Sequence, residues 1–63
     1  MNETIRQQIL AVRDGGETNM YDAYAVQRIA MRDGYYELVL YIEENRSGYA
    51  RFISTGKAGG EGE

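Results

Sequence analysis

Apolar residues in the first part of the chain recur at Ile5, Ile9 and Val12, which at about 100° per residue fall on one side of an α-helix. This spacing predicts an amphipathic helix over 3–14, with Asn2 as its N-cap and Gly15 at the C′ position. Leu10 falls off the stripe and reads either as a lone exposed leucine or as the start of a second contact surface. After the linker Gly15-Gly16-Glu17-Thr18, Asn19 is placed to cap a second helix over 20–33, with Asp22 adding favourable charge near its N-terminus. Ala23, Val26, Ile29 and Ala30 give that helix a narrow face of small side chains, and Gly34 ends it. Met20, Tyr24 and Met31 flank the narrow face, as the edge of a core or as an adaptable contact surface.

The stretch over 35–54 has the strongest pattern. Measured from Leu38, residues Tyr35, Ile42, Asn45, Tyr49, Phe52 and Ile53 project within about 60° of one direction. That coherence predicts one helix of about twenty residues. Gly48 weakens it by about 1 kcal/mol relative to alanine, and Ser47-Gly48 offers an alternative break into two shorter helices. A strand over 35–42 has the aromatic and β-branched density but lacks alternation. On the opposite side Tyr36 and Leu40 stand one turn apart among Glu43, Glu44, Ser47 and Arg51. A monomer of three helices does not readily bury both faces, so a symmetric homodimer is expected, against the alternative of two tolerated exposed side chains. The expected fold is thus a small all-α domain over 1–55, with three helices, or four if the last breaks near Gly48. The glycine-rich stretch over 56–63 is expected to be a disordered tail. Tyr36 and Leu40, then Tyr24 and Met31, are the candidate interface residues.

Size and composition narrow how such a domain is held together. A chain of 63 residues buries only roughly 60% of its unfolded surface, and with no cysteine or histidine it has neither disulfides nor the usual metal ligands. Helix packing and oligomerisation remain. The N-terminus lacks the features of a signal peptide and no apolar run approaches about 20 residues, so a soluble protein of the cytoplasm, without a membrane partner, is expected. The net charge of −3 disfavours nucleic acid as a direct ligand. Six arginines against one lysine suit protein contacts, although pairing with the ten acids is the ordinary role of such residues.

Catalysis finds no foothold in the sequence. Histidine, the usual group poised near neutral pH, is absent. The adjacent Glu43 and Glu44 point about 100° apart on a helix, and Asp33 with Glu37 is the only other obvious acid cluster. Gly56-Lys57-Ala58-Gly59-Gly60 lacks both the spacing and the following helix of a phosphate loop, and the acids lack EF-hand spacing. No enzyme activity, metal or cofactor is expected. Ala30, Gly34 and Leu40 do occupy plausible small, turn and packing positions of a helix-turn-helix. Its second helix would meet DNA with Tyr36, Glu37, Leu40, Glu43 and Glu44, a poor surface for a polyanion.

The segments Thr18-Asn19-Met20-Tyr21-Asp22, Ala25-Val26-Gln27-Arg28-Ile29-Ala30, Gly34-Tyr35-Tyr36-Glu37-Leu38-Val39-Leu40-Tyr41-Ile42-Glu43-Glu44 and Tyr49-Ala50-Arg51-Phe52-Ile53-Ser54-Thr55-Gly56 resemble a family of very short proteins of phages and prophages of Gram-positive bacteria. The family is catalogued as a domain of unknown function, and the resemblance runs from Ile5 through Gly56. Most members carry a more helix-favouring residue where this chain has Gly48. The resemblance carries no catalytic or ligand-binding residues over. It implies a protein that acts in the bacterial host cytoplasm by stoichiometric binding, as an inhibitor of a host immune or nucleic-acid-processing protein of the kind that blocks CRISPR effectors or the Hachiman system. A helix-turn-helix accessory of phage transcription or packaging is the alternative, and a purely structural assembly part a third.

Overall fold

The structure, a computed structural model, describes residues 2–55. Four helices follow one another: α1 (Glu3–Gly15), α2 (Ala23–Asp33), α3 (Tyr36–Glu44) and α4 (Arg46–Thr55). No strand occurs among the described residues, and the stretch expected to be a tail, 56–63, lies outside them.

Asn2 caps α1 as expected, its Oδ1 accepting from the Ile5 amide at 2.8 Å. The helix closes one residue later than the sequence suggested. Gly15 stays helical and Gly16 takes the left-handed conformation at φ 65°, its amide donating to the Arg13 carbonyl. Either member of the glycine pair can adopt that conformation, so the pattern alone does not choose between them.

The second helix begins at Ala23, not Met20. Asn19 builds a turn instead of a cap: its Oδ1 accepts from the Tyr21 amide and its carbonyl from the Asp22 amide, both at 2.9 Å. Asp22 is the N-cap, accepting from the Ala25 amide at 3.1 Å. Aspartate serves this position as well as asparagine and adds a charge that the helix N-terminus favours. The later start leaves Met20 in the loop, where its carbonyl accepts the Tyr49 hydroxyl at 2.6 Å. At the other end Gly34, at φ 84°, reverses the chain, and the Tyr35 amide donates to the Ala30 carbonyl at 2.8 Å.

Helix α3 starts at once, and Tyr35 gives it no side-chain cap. The cap comes from α1: Gln8 Oε1 accepts from the Leu38 amide at 2.9 Å, across 30 residues of sequence. Gln8→Ala strands that amide in a partly buried position. The expected result is a loss of about 1 kcal/mol, measured by urea denaturation, while an exposed control such as Gln7→Ala is nearly neutral.

Of the two readings of 35–54, the continuous helix is not formed and the break into two shorter helices is. The break falls at Asn45, φ −148° and ψ 60°, three residues before Gly48. Asn45 ends α3 with its amide on the Tyr41 carbonyl at 2.8 Å and begins α4 with its carbonyl on the Tyr49 amide and its Oδ1 on the Gly48 amide, both at 3.1 Å. Asparagine competes well for backbone groups at helix ends and poorly in helix interiors. Periodicity concealed the break because one residue of extended backbone still returns α4 to the core. Tyr49 and Phe52 are buried with Leu38, Val39 and Ile42, whereas Asn45, expected to face inward with them, is exposed and occupied by its cap.

The core joins these residues to Ile5, Ile9 and Val12 of α1 and to Ala23, Val26 and Ala30 of α2. Ile29, expected on the same small-residue face, is only partly buried, packed against the core with Met20, Tyr35, Tyr41 and Ile53. Among the described residues no buried side-chain nitrogen or oxygen lacks a hydrogen-bond partner.

Candidate functional site

Four of the large apolar side chains that this core leaves out are the residues singled out in the sequence. Tyr24, Met31, Tyr36 and Leu40 are 63%, 53%, 60% and 58% exposed. Tyr24 and Met31 project from α2 two turns apart, and Tyr36 and Leu40 from α3 one turn apart, so each pair forms a ridge along its helix.

Two contacts set the register between the ridges. The Arg46 guanidinium lies 4.5 Å above the Tyr24 ring, and Gln27 donates from Nε2 to the Val39 carbonyl and to Glu43 Oε1, each at 3.0 Å. Three residues forward along α2 thus correspond to three residues back from Arg46, as in an antiparallel pair. One further turn brings Met31 to the level of the α3 turn before Val39, and so of Tyr36. The two ridges therefore border one α2–α3 face, with the Gln27 bridge between them.

The two sides of this face differ in charge. The α2 side carries Arg28, with Arg46 across the Tyr24 ring; the α3 side carries Glu43 and Glu44, whereas Glu37 accepts from Asn2 Nδ2 at 3.4 Å beside α1. Arg28 and Glu44 make no ion pair among the described residues. Arg32 is engaged locally, donating to Glu17 at 2.9 and 2.7 Å and to Asp33 at 2.8 Å. These bonds hold the Glu17 and Asp33 carboxyls below their ordinary range and keep Arg32 protonated.

Tyr21, at 64% exposure, joins the exposed aromatics without having been foreseen. Placing the start of α2 at Met20 put it inside a helix, whereas it stands in the turn that Asn19 builds. The sequence signal was Asp22, an N-cap residue immediately before Ala23, which would have left Tyr21 outside.

Other concave regions carry less chemistry. A shallow groove of about 440 Å³ along α1 is lined by Glu3, Thr4, Gln7, Gln8, Ala11 and Tyr35, and Gln8 is already committed to capping α3. Among the described residues no group of three or more His, Cys, Asp or Glu is placed to hold a metal ion, and no helix is long and apolar enough to cross a membrane.

The fold defines a small all-helical protein that leaves an aromatic and apolar face between two of its helices uncovered. A family profile described as domain of unknown function DUF5049 matches residues 1–57, and the chain belongs to that family. Comparisons with curated proteins and with solved structures returned no match.

Proposed function

We propose that this is a non-catalytic binding protein of phage origin that pairs with itself through the α2–α3 face and, as a homodimer, stoichiometrically inhibits a host defence or nucleic-acid-processing protein. The observation that carries the binding role is the set of Tyr24, Met31, Tyr36 and Leu40 on α2 and α3, each more than half exposed, while among the described residues no buried side-chain nitrogen or oxygen lacks a partner. Large apolar groups gathered on one surface favour association, whereas single ones do not. A two-fold axis along the α2–α3 seam would lay α2 of one copy on α3 of the other. Arg28 would then approach Glu44 of the second copy, so the pairing would bring opposite charges together. The choice of target rests on the family resemblance and on the acidic balance of the chain, which suits a basic nucleic-acid channel. A helix-turn-helix role has less support, because the free side of α3 presents Glu37, Glu43 and Glu44 to a polyanion.

Light scattering beside circular dichroism tests the dimer. Tyr36→Ala with Leu40→Glu should halve the solution mass and leave helicity largely intact; an unchanged dimer mass removes both residues from the interface. Infection of bacterial strains, each carrying a single defence system, tests the inhibition. Restored plaquing against one system is expected on expression of the protein, and no rescue against any of them sinks the inhibitor reading. A shift of labelled duplex at low salt would favour the DNA-binding alternative instead.

A further inference from the structure

The joint between α3 and α4 sets two demands of the sequence against each other. Over 35–54 the inward positions keep one helical phase, which favours a single helix of about twenty residues over two of 9 and 10. A break between helices also leaves backbone donors and acceptors that a continuous helix would pair. A straight helix, however, would carry Tyr49 and Phe52 out of the core, in which they are 1% and 7% exposed. Within one chain burial wins, and Asn45 alone turns the backbone. The turn is closely fitted. Asn45 Oδ1 accepts from the Gly48 amide at 3.1 Å, and a Cβ on Gly48 would stand 2.6 Å from Asn45 Nδ2 and 2.7 Å from the Tyr41 hydroxyl.

We propose that Asn45 is a hinge through which two copies of this chain exchange α4. In the exchanged dimer residues 36–55 form one helix, and Tyr49 and Phe52 of each copy enter the core of the other. The seat of α4 takes a second copy because only the same helix remakes the contacts found there: the Tyr49 ring in the core and its hydroxyl on the Met20 carbonyl at 2.6 Å. Helical continuity and a full core are both satisfied in that dimer and not in the single chain. The hinge is one exposed residue, and short connections that cannot relax favour exchange. No described element follows α4, so one connection has to open. In a continuous helix the Cβ atoms of residues 45 and 48 stand about 5–6 Å apart, so the crowding at Gly48 belongs to the turned form alone. Because α4 must leave the core first, exchange requires partial unfolding at high concentration. The inference does not rest on the α2–α3 pairing proposed above, since Tyr36 and Leu40 lie outside the exchanged contacts.

The experiment anneals the full chain at about 1 mM in urea near its unfolding midpoint, removes the urea and separates the products by size with light scattering. Dimer formed from a mixture of isotope-labelled and unlabelled chains should show contacts of the Tyr49 ring with Met20 between copies in isotope-filtered NMR. Gly48→Ala disfavours the turned form in both copies and should raise the dimer association constant at least about tenfold. Asn45→Ala removes the cap that starts α4 and should act in the same direction; it decides the point if Gly48→Ala does not fold. Two glycines inserted after Asn45 relax the turn and interrupt the continuous helix, so that chain should stay monomeric after annealing, with its helicity kept by circular dichroism. Each variant is made in the Tyr36→Ala, Leu40→Glu chain, which lacks the α2–α3 pairing, so failure of that pairing and failure of the exchange are read separately. Four outcomes overturn the proposal: no dimer after annealing, Tyr49–Met20 contacts confined to one copy, a dimer fraction unmoved by Gly48→Ala or Asn45→Ala, or undiminished dimer from the glycine-inserted chain.

Discussion

Tyr49→Ala is expected to leave the domain largely unfolded at room temperature, whereas Tyr49→Phe should fold with a modest loss. Tyr49 is 1% exposed and is the largest of the fully buried side chains. Truncating a buried aromatic residue typically costs about 3–5 kcal/mol, while a domain of this length has roughly 3–9 kcal/mol in total. Phenylalanine keeps the packing and loses only the bond to the Met20 carbonyl, a loss of about 1–2 kcal/mol. The same hydroxyl makes stability depend on alkaline pH. Burial first, and the Asp22 carboxylate second, push the Tyr49 phenol up to about 12 from its ordinary 10. A phenol whose pKa is raised by folding stabilises the native state fully below pH 10. That contribution is lost as the pH rises through 10 to 12, and at a shift of this size it amounts to roughly 2 kcal/mol. Burial raises Tyr41 as well, so it adds to the same trend. Circular dichroism across this range should show helix loss in the wild type and a shallower loss in Tyr49→Phe. A variant with an identical alkaline profile would remove Tyr49 from the account.

Gly48→Ala should destabilise the protein, against the direction that helix propensity gives. An exposed helical glycine gains about 1 kcal/mol on replacement by alanine. At Gly48, however, a Cβ would stand 2.6 Å from Asn45 Nδ2, 2.8 Å from Asn45 Cγ and 2.7 Å from the Tyr41 hydroxyl. The asparagine side chain in its way is the group that accepts from the Gly48 amide and starts α4. Moving it sacrifices a cap of about 1 kcal/mol, and the Tyr41 ring, packed against the core, must move too. A net loss of about 1–2 kcal/mol is expected by urea denaturation. Asn45→Ala and Tyr41→Phe, which remove the obstructing groups, should together turn Gly48→Ala neutral or stabilising. A double-mutant cycle reads that coupling, and purely additive effects would contradict it.

The same asparagine marks how far the sequence could be read. The buried stripe of α1, the small-residue face of α2 and the exposed ridge of Tyr36 and Leu40 follow from 3.6-residue spacing, because burial in helices is a matter of angle. Helix ends depend on which of several competent caps wins. Asn19 and Asp22 both qualify, as do Gly15 and Gly16, and the choice is made by distant partners such as the Tyr49 hydroxyl waiting for the Met20 carbonyl. A break was offered at Ser47-Gly48, but its place at Asn45 escaped for the opposite reason: it preserves the inward phase that the pattern measures. Of the candidate face, all four named side chains are more than half exposed. The Gln27 bridge and the Tyr24–Arg46 stack that set its register join residues 16 and 22 positions apart, beyond the reach of local periodicity.

Two of the hydrogen bonds that complete helix ends or loops span the chain: Gln8 to the Leu38 amide, and Tyr49 to the Met20 carbonyl. They interlock, since the first ties α1 forward past α2 and the second ties α4 back to the loop before it. The helices have only 9 to 13 residues each, within or below the roughly 12–15 under which an isolated helix is marginal in water. A cut anywhere between Met20 and Leu38 separates the two ends of both ties. A protease cut in the turn between α2 and α3 would therefore leave two fragments that are each coil alone, yet able to reassemble when mixed, and the protein should appear to degradation machinery as a single indivisible target.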